Sequence, residues 1–373
     1  MSVALREDLE GLQPYGAPQL DVPVRLNVNE NPYPPSEAVV ADIAASVAEA
    51  ARGLNRYPDR DFAELRSALA DYLGVESGVR VPAEQIWAAN GSNEVMLQLL
   101  QAFGGPGRTV ASFAPTYSMY HEYARDANTR WVVGARGDGF ALDVDEVARV
   151  LGAERPSVLL LASPNNPTGT ALEAADLARV LDLARGSGPV VRGAPSDTLV
   201  VVDEAYAEFR RDGVPSALEL LADHPHLVVS RTMSKAFGMA GLRLGYAAAA
   251  PEIVDALMLV RLPYHLSATT QATACAALRH RDELMAQVAG LREERDRLVD
   301  WLRARGWRAA DSDANFVLFG TLPDRDAVFR GLLDRGVLIR VVGPQGWLRV
   351  SVGSPHEMAA FRAALVEVTG EAT

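Results

Sequence analysis

The stretch Arg231-Thr232-Met233-Ser234-Lys235-Ala236-Phe237-Gly238-Met239-Ala240-Gly241-Leu242-Arg243-Leu244-Gly245-Tyr246 decides how this chain is read. The apolar run Leu227-Val228-Val229 leads in as a short strand. A Gly-punctuated turn follows, and a second strand begins near Leu242. Lys235 falls at the end of the first strand, with Arg243 shortly after it. A lysine amine forms a Schiff base with a carbonyl cofactor, and hydroxyl and guanidinium donors suit a phosphate. Lys235, Arg243, Thr232 and Ser234 around one tight turn are the parts needed to hold pyridoxal phosphate. A surface loop with ordinary charges accounts for the same residues equally well, so the rest of the chain decides.

Outward from this stretch, apolar runs alternate with helical patterns. The runs are 85–89, 109–113, 129–133, 157–162, 199–202, 227–229 and 244–248, and helices are expected at 94–103, 117–126, 143–151 and 173–185. Strands that are nearly all apolar, separated by helices, predict an α/β large domain: a mainly parallel seven-stranded sheet with helices on both faces. Ligands on such sheets bind beyond the carboxyl ends of the strands, so chemistry-bearing residues should follow the apolar runs directly.

Four clusters do so. Gly91-Ser92-Asn93-Glu94 opens a helix, whose free N–H groups suit a phosphate; a plain cap is the alternative. Ser163-Pro164-Asn165-Asn166-Pro167-Thr168-Gly169 is a rigid loop that fixes the Asn166 amide, or only a turn. Asp203-Glu204-Ala205-Tyr206 places a carboxylate at the end of a buried strand, which is costly unless paired. A protonated pyridine nitrogen would pair it, with Tyr206 in reach of the ring oxygen. A metal would also pair it, but no second carboxylate or histidine cluster has ligand spacing. Lys235 is the fourth. Each cluster has an ordinary explanation; all four failing together is a poor account of their order. Nucleotide hydrolysis lacks its Gly-x-x-x-x-Gly-Lys-Ser/Thr loop, and no dinucleotide fingerprint, zinc-protease helix or Gly-x-Ser-x-Gly elbow appears. A Ser-Lys hydrolase would leave Asp203 and Asn166 without a role.

The chain has 373 residues, 49% of them hydrophobic, and a net charge of -12. That balance argues against nucleic acid or an acidic membrane as partner. The single cysteine, Cys275, allows no internal disulfide and suits a reducing compartment. The start lacks a signal-peptide pattern, and no apolar run reaches the roughly 18 residues of a membrane helix. A cytoplasmic enzyme is expected.

Residues 1–35 read as a Pro-rich arm, with a short strand at 24–28, joining the small domain. Residues 36–265 form the large domain, beginning with a helix at 36–51 capped by Ser36 and another at 61–72, where Asp61 and Glu64 form a capping box. Residues 266–373 form a smaller α+β domain, entered by a long helix at 282–305. It has strands at 315–319 and 347–352, and a last helix opened by Ser354-Pro355-His356-Glu357. The segment 186–196 is a polar surface loop.

These motifs together resemble the aspartate-aminotransferase-like pyridoxal-phosphate enzymes, and within them the histidinol-phosphate aminotransferases of actinobacterial type. The resemblance runs from Pro14-Tyr15-Gly16 to Leu348-Arg349. It includes Leu26-Asn27-Val28-Asn29-Glu30-Asn31-Pro32, Arg56-Tyr57-Pro58-Asp59, Ser312-Asp313-Ala314-Asn315-Phe316 and the four clusters. It implies the two-domain fold and a homodimer with shared active sites. The implied reaction is amino exchange between L-histidinol phosphate and 2-oxoglutarate, giving imidazole-acetol phosphate and L-glutamate in histidine biosynthesis. Lys235 would bind the cofactor covalently and move the substrate proton. Asp203 would hold the ring nitrogen protonated, Asn166 and Tyr206 would contact the ring oxygen, and Tyr117 would stack on the ring. Ser92, Asn93, Ser234 and Arg243, with Thr232 beside them, would hold the phosphate, joined by Tyr57 from the other subunit. Arg349 would clamp the substrate anion, Arg340 and Tyr15 would assist, and Asn29 would close over the imidazole side. The family often has Asp after the residue at 340; this chain has Val341. An aromatic-amino-acid aminotransferase, or a decarboxylase of an amino-acid phosphate, would share the scaffold. A cofactor-binding regulator would need a basic domain ahead of the motifs, and they begin at Pro14.

Overall fold

The seven apolar runs form one sheet in the computed structural model, which describes residues 3–370. Its strands are β1 (Ile86–Ala89), β2 (Thr109–Ala114), β3 (Arg130–Ala135), β4 (Val158–Ala162), β5 (Leu199–Asp203), β6 (Leu227–Thr232) and β7 (Gly245–Ala249). Their order is β1-β7-β6-β5-β4-β2-β3. Pairing from β6 through β3 is parallel, and β7 alone runs against both its neighbours. All residues of β1, β4, β5, β6 and β7 are buried. With no solvent face to alternate towards, their sequences carry no polar alternation. The edge strand β3 is partly exposed.

The intervening helices are α1 (Glu37–Ala51), α2 (Ala63–Ser77), α3 (Ser92–Phe103), α4 (Met119–Asp126), α5 (Val144–Glu154), α6 (Ala174–Ala184) and α7 (Pro251–Val260). Ser36 caps α1 by accepting from the Val39 N–H. The expected capping box at Asp61 and Glu64 does not form. Arg60 and Arg261 take the Asp61 carboxylate, and α2 starts two residues later, where Asp59 accepts from the N–H groups of Asp61 and Ala63 at 3.0 and 2.8 Å. The 186–196 loop also differs from expectation. It contains an exposed two-stranded hairpin, Val190–Val191 with Ala194–Pro195. Arg192 and Gly193 turn it, both at positive φ as a tight hairpin turn requires.

The rest of the chain comprises α8 (Ala268–Arg279), α9 (Arg281–Ala304), α10 (Arg325–Asp334) and α11 (Pro355–Thr369). The strands Arg308–Ala309, Phe316–Gly320 and Leu348–Ser351 make an antiparallel sheet. The arm adds Val24–Arg25 in parallel to Val337–Leu338, and its Val24 and Leu26 enter this smaller core with Val317, Phe319, Leu348 and Phe361. A boundary at residue 266 does not fit the packing: Ala274, Cys275, Ala277 and Leu278 of α8 belong to the large core. The division falls inside α9. That helix gives Leu284 to the large core, Val288 and Leu291 to a cluster between the units, and Leu298 and Leu302 to the small core. Ser354 and Glu357 form the expected capping box at α11, with Pro355 at its first turn. No helix among the described residues is long and apolar enough to cross a membrane.

Beneath the sheet's carboxyl edge lies a buried charge cluster. Arg231 of β6, 1% exposed, pairs with Glu204 at 2.7 Å, Glu76 at 3.0 Å and Glu208 at 3.4 Å, and Arg210 reaches Glu76 at 2.9 Å. Burial raises the Glu204 pKa, but Arg231 and Arg210 outweigh it and hold the group below the usual carboxylate range. Removing the central cation strands these carboxylates in apolar surroundings. Arg231→Leu is therefore expected to lower the unfolding free energy by about 3–5 kcal/mol, measured by urea denaturation; a loss under about 1 kcal/mol would show that the cluster is not held by its central arginine.

Candidate functional site

The segments that leave β1, β2, β4, β5 and β6 at their carboxyl ends converge on one cavity of about 600 Å³. They bring Ser92 and Asn93, Tyr117, Asn166, Asp203 and Tyr206, and Ser234 and Lys235 respectively. The opposite wall comes from elsewhere: Arg340 and Arg349 from the small unit, Tyr15 and the 27–29 segment from the arm.

Asp203, the last residue of β5, is 7% exposed and forms no ion pair among the described residues. It accepts from the Tyr120 hydroxyl at 3.0 Å, the Ala205 N–H at 3.2 Å and the Ser230 hydroxyl at 3.3 Å. Burial pushes its pKa up to about 6 against these three bonds. A cationic N–H in the cavity would reverse that shift. Lys235 donates to the Val28 carbonyl at 2.9 Å, and burial, with Arg349 and Arg243 nearby, lowers its pKa to about 8. A substantial neutral fraction of this amine is thus available as nucleophile or base near neutral pH.

Arg349 is 6% exposed and has no carboxylate partner among the described residues. Its Nη1 donates to Asn166 Oδ1 at 2.6 Å and its Nη2 to the Asn27 carbonyl at 2.9 Å, while Nε is buried without a partner. Burial lowers its pKa to about 10, with Arg340 adding to the effect. A buried guanidinium with an idle donor suits an incoming anion. Arg340 stands beside it through an antiparallel backbone bridge. Val341 packs against the small core, where a carboxylate would be poorly solvated.

The phosphate end rests on two glycines. Helix α3 begins after Gly91 at φ 86° with no side-chain cap, leaving its first N–H groups free to face the cavity. A Cβ on Gly91 would lie 2.7 Å from Nη2 of Arg243, and one on Gly245 would overlap the Gly91–Ser92 backbone. The Arg243 guanidinium therefore lies against the helix start and donates to Ser234 Oγ at 3.4 Å.

Fourteen of the expected site residues line the cavity; Tyr57 does not. It is 79% exposed and stacks on Tyr264 with ring centroids 4.4 Å apart. Thr232 lines the wall, but its hydroxyl bonds the Leu244 carbonyl and the Ser234 N–H, a structural role. Tyr15 is half-exposed and meets Ser118 at 3.0 Å. Asn29 is buried, its amide spent on Tyr206 and Ser351. Tyr120 and Ser230 are site residues that sequence reasoning missed. Tyr120 follows Tyr117 by three residues at the start of α4, and Ser230 sits opposite Asp203 in the β5–β6 register. Either spacing could have flagged them.

The donor set fits pyridoxal phosphate. Asp203 offers a buried acceptor lacking a cation, Lys235 an amine of lowered pKa, and the Gly91–Arg243 cradle an anion site.

The family model for aminotransferase class I and II matches residues 22–365. Histidinol-phosphate aminotransferase 3 of Burkholderia lata is 60% identical over 364 residues, covering 98% of this chain and 95% of its own length. Histidinol-phosphate aminotransferase of Thermobifida fusca is 59% identical over 368 residues, covering 99% and 96%. Among solved structures, histidinol-phosphate aminotransferase from Sinorhizobium meliloti, in complex with pyridoxal-5'-phosphate, superposes with a TM-score of 0.79 at 27% identity, covering 93% of this chain and 91% of that one.

The lowered Lys235 pKa has a direct readout. Only the neutral amine attacks an aldehyde. Reductive labelling of Lys235 in cofactor-free protein should rise about tenfold per pH unit and level off above a pH of about 8. The labelled peptide is followed by mass spectrometry. A plateau reached only near the ordinary lysine value of roughly 10.4 would contradict the burial argument.

Proposed function

The chain belongs to the aminotransferase class I and II family, and on that footing we propose that it exchanges the amino group between L-histidinol phosphate and 2-oxoglutarate, in L-histidine biosynthesis. The observation that carries this reading is Arg349: a buried cation without a counter-ion among the described residues, beside Arg340 and across the cavity from Lys235. One such clamp can take the phosphate of one substrate and a carboxylate of the other in turn. The names of the Burkholderia lata and Thermobifida fusca relatives support the phosphate-bearing amine.

Bound in the cavity, pyridoxal phosphate supplies an electron sink for the pair released when the substrate's C–H proton leaves. Asp203, whose carboxylate a cationic ring N–H would stabilise against the burial that raises its pKa, would keep a proton on the ring nitrogen and so keep that sink effective. Lys235 takes the proton from the substrate carbon and returns it on the cofactor side, a task suited to an amine whose pKa is about 8. Asn166 and Tyr206 donate to the ring oxygen. Ser92, Asn93, Ser234 and Arg243 would hold the phosphate, and Tyr117 would cover the ring.

The same reading makes the protein a cytoplasmic homodimer. Leu54, Tyr57, Leu259, Leu262 and Tyr264 are large apolar side chains that stand exposed on two segments joined by the Tyr57–Tyr264 stack. An exposed apolar patch of this kind suits a second copy. Tyr57 would then complete the phosphate site of the other copy rather than its own.

Single-turnover mixing of the cofactor-loaded protein with L-histidinol phosphate is expected to discharge the visible absorbance band rapidly, with phenylalanine much slower; a preference for phenylalanine would overturn the substrate assignment. Arg349→Ala should lower kcat/KM for both half-reactions by roughly 10- to 100-fold, the worth of one charged hydrogen-bonding group. Lys235→Ala should abolish turnover and leave the unfolding transition in place. A loss of rate for only one of the two substrates in Arg349→Ala would refute the shared clamp.

A further inference from the structure

Asn29 lies in the arm at φ 57° and is 2% exposed. Asparagine tolerates that left-handed conformation better than most residues. Each of its polar groups has a partner. Its N–H donates to Ser351 Oγ at 2.9 Å, and its carbonyl accepts from Asn315 Nδ2 at 3.0 Å. In the side chain, Oδ1 accepts from the Ser351 hydroxyl at 3.0 Å, and Nδ2 donates to the Tyr206 oxygen at 3.0 Å. Both ends of the amide are engaged by protein groups.

Its direction is also set. The one hydrogen of the Ser351 hydroxyl finds its acceptor in Asn29 Oδ1, which turns Nδ2 towards Tyr206. Asn166 is oriented from the other side by the same logic. Arg349 donates to its Oδ1 at 2.6 Å, so its Nδ2 faces the Tyr206 oxygen at 3.4 Å. The phenol oxygen thus receives N–H groups from both neighbours, and no acceptor among the described residues takes its hydrogen. That hydrogen is left to point into the cavity. The chain Ser351–Asn29–Tyr206–Asn166–Arg349 is polarised in one sense, and such chains strengthen their members.

We propose that Asn29 is a positioning residue: by donating to the Tyr206 oxygen it commits that phenol to be the hydrogen-bond donor to the cofactor's ring oxygen. The inference rests on the aminotransferase reading above. It places an arm residue in the machinery that holds the cofactor rather than over the substrate's imidazole. The charged and titratable groups around Tyr206 are Arg349, Asp203, Tyr15, Tyr117 and Lys235, whose Nζ is 5.8 Å from the Tyr206 ring centroid, and Lys235 itself also feels Glu30 and Arg243. None is altered by changing Asn29.

A hydrogen bond donated to the ring oxygen stabilises its anionic form, so the nitrogen linked to Lys235 loses its proton at a lower pH. The test titrates the visible absorbance of the cofactor-loaded protein. Asn29→Gly keeps the backbone bonds and permits φ 57°. It should raise the midpoint by about half a pH unit. Ser351→Ala, which frees the amide to turn over, should move it the same way. Tyr206→Phe should raise it further, and adding Asn29→Gly to that variant should then change nothing. An unchanged midpoint in Asn29→Gly, or an equal shift with and without the Tyr206 hydroxyl, overturns the proposal. A wild-type protein with no visible band overturns the cofactor reading, and this inference falls with it.

Discussion

A carboxylate at the dry end of a strand is the constraint on which the site depends. Asp203 has to remain ionised where burial favours the neutral acid. Three donors from three places restrain it: the start of α4, the adjoining strand β6 and its own turn. Those donors must be present before any ligand arrives, so the packing of α4 against the sheet is also part of the electrostatics. One residue along, Glu204 meets the opposite solution, a full guanidinium at 2.7 Å. The two neighbours differ in how their charge is answered: Glu204 by the protein, Asp203 only in part. The incomplete answer marks the functional group, and the complete one beneath it is structural.

Much of this arrangement was legible in the sequence. The seven runs carry no polar alternation because the strands are covered on both faces, and that pattern alone specifies a mainly parallel sheet. The parallel sheet in turn predicts where ligand-binding side chains lie, and the clusters at Asn166, Asp203 and Lys235 fall there. What stayed hidden depends on contacts between remote segments. Tyr120 and Ser230 become site residues only when α4 and β6 stand beside β5. Asp61 does not cap α2 because its carboxylate pairs with its neighbour Arg60 and with Arg261, far along the chain. The 186–196 hairpin was obscured by the brevity of its strands, two residues each and exposed, which leaves no pattern of a buried face. Helix α8 was assigned to the small unit because position in the chain says nothing about which core its Ala and Leu residues join.

The arm is the clearest case of function settled by tertiary contacts. Residues 27–29 give backbone carbonyls to Arg349, Lys235 and Asn315, and Asn29 gives its amide to Tyr206 and Ser351. Large unit, small unit and arm therefore meet at one short segment. Three of the groups it binds are those the reaction needs, so the alignment of Arg349 with Lys235 depends on the arm's register against Val337–Leu338. A slip of one residue there would turn every arm side chain to the opposite face.

Helix α9 carries a consequence of another kind. Val288 and Leu291 face the cluster between the units, while Leu298 and Leu302 face the small core, all on one continuous helix. Each added or deleted residue would rotate everything beyond it by roughly 100° about the axis. The phase of this helix sets the angular setting of Arg349 relative to Lys235. Length variation in a lineage of such chains should therefore be absent from the middle of α9 and concentrate in segments without a phase to keep, such as the exposed hairpin at 190–195.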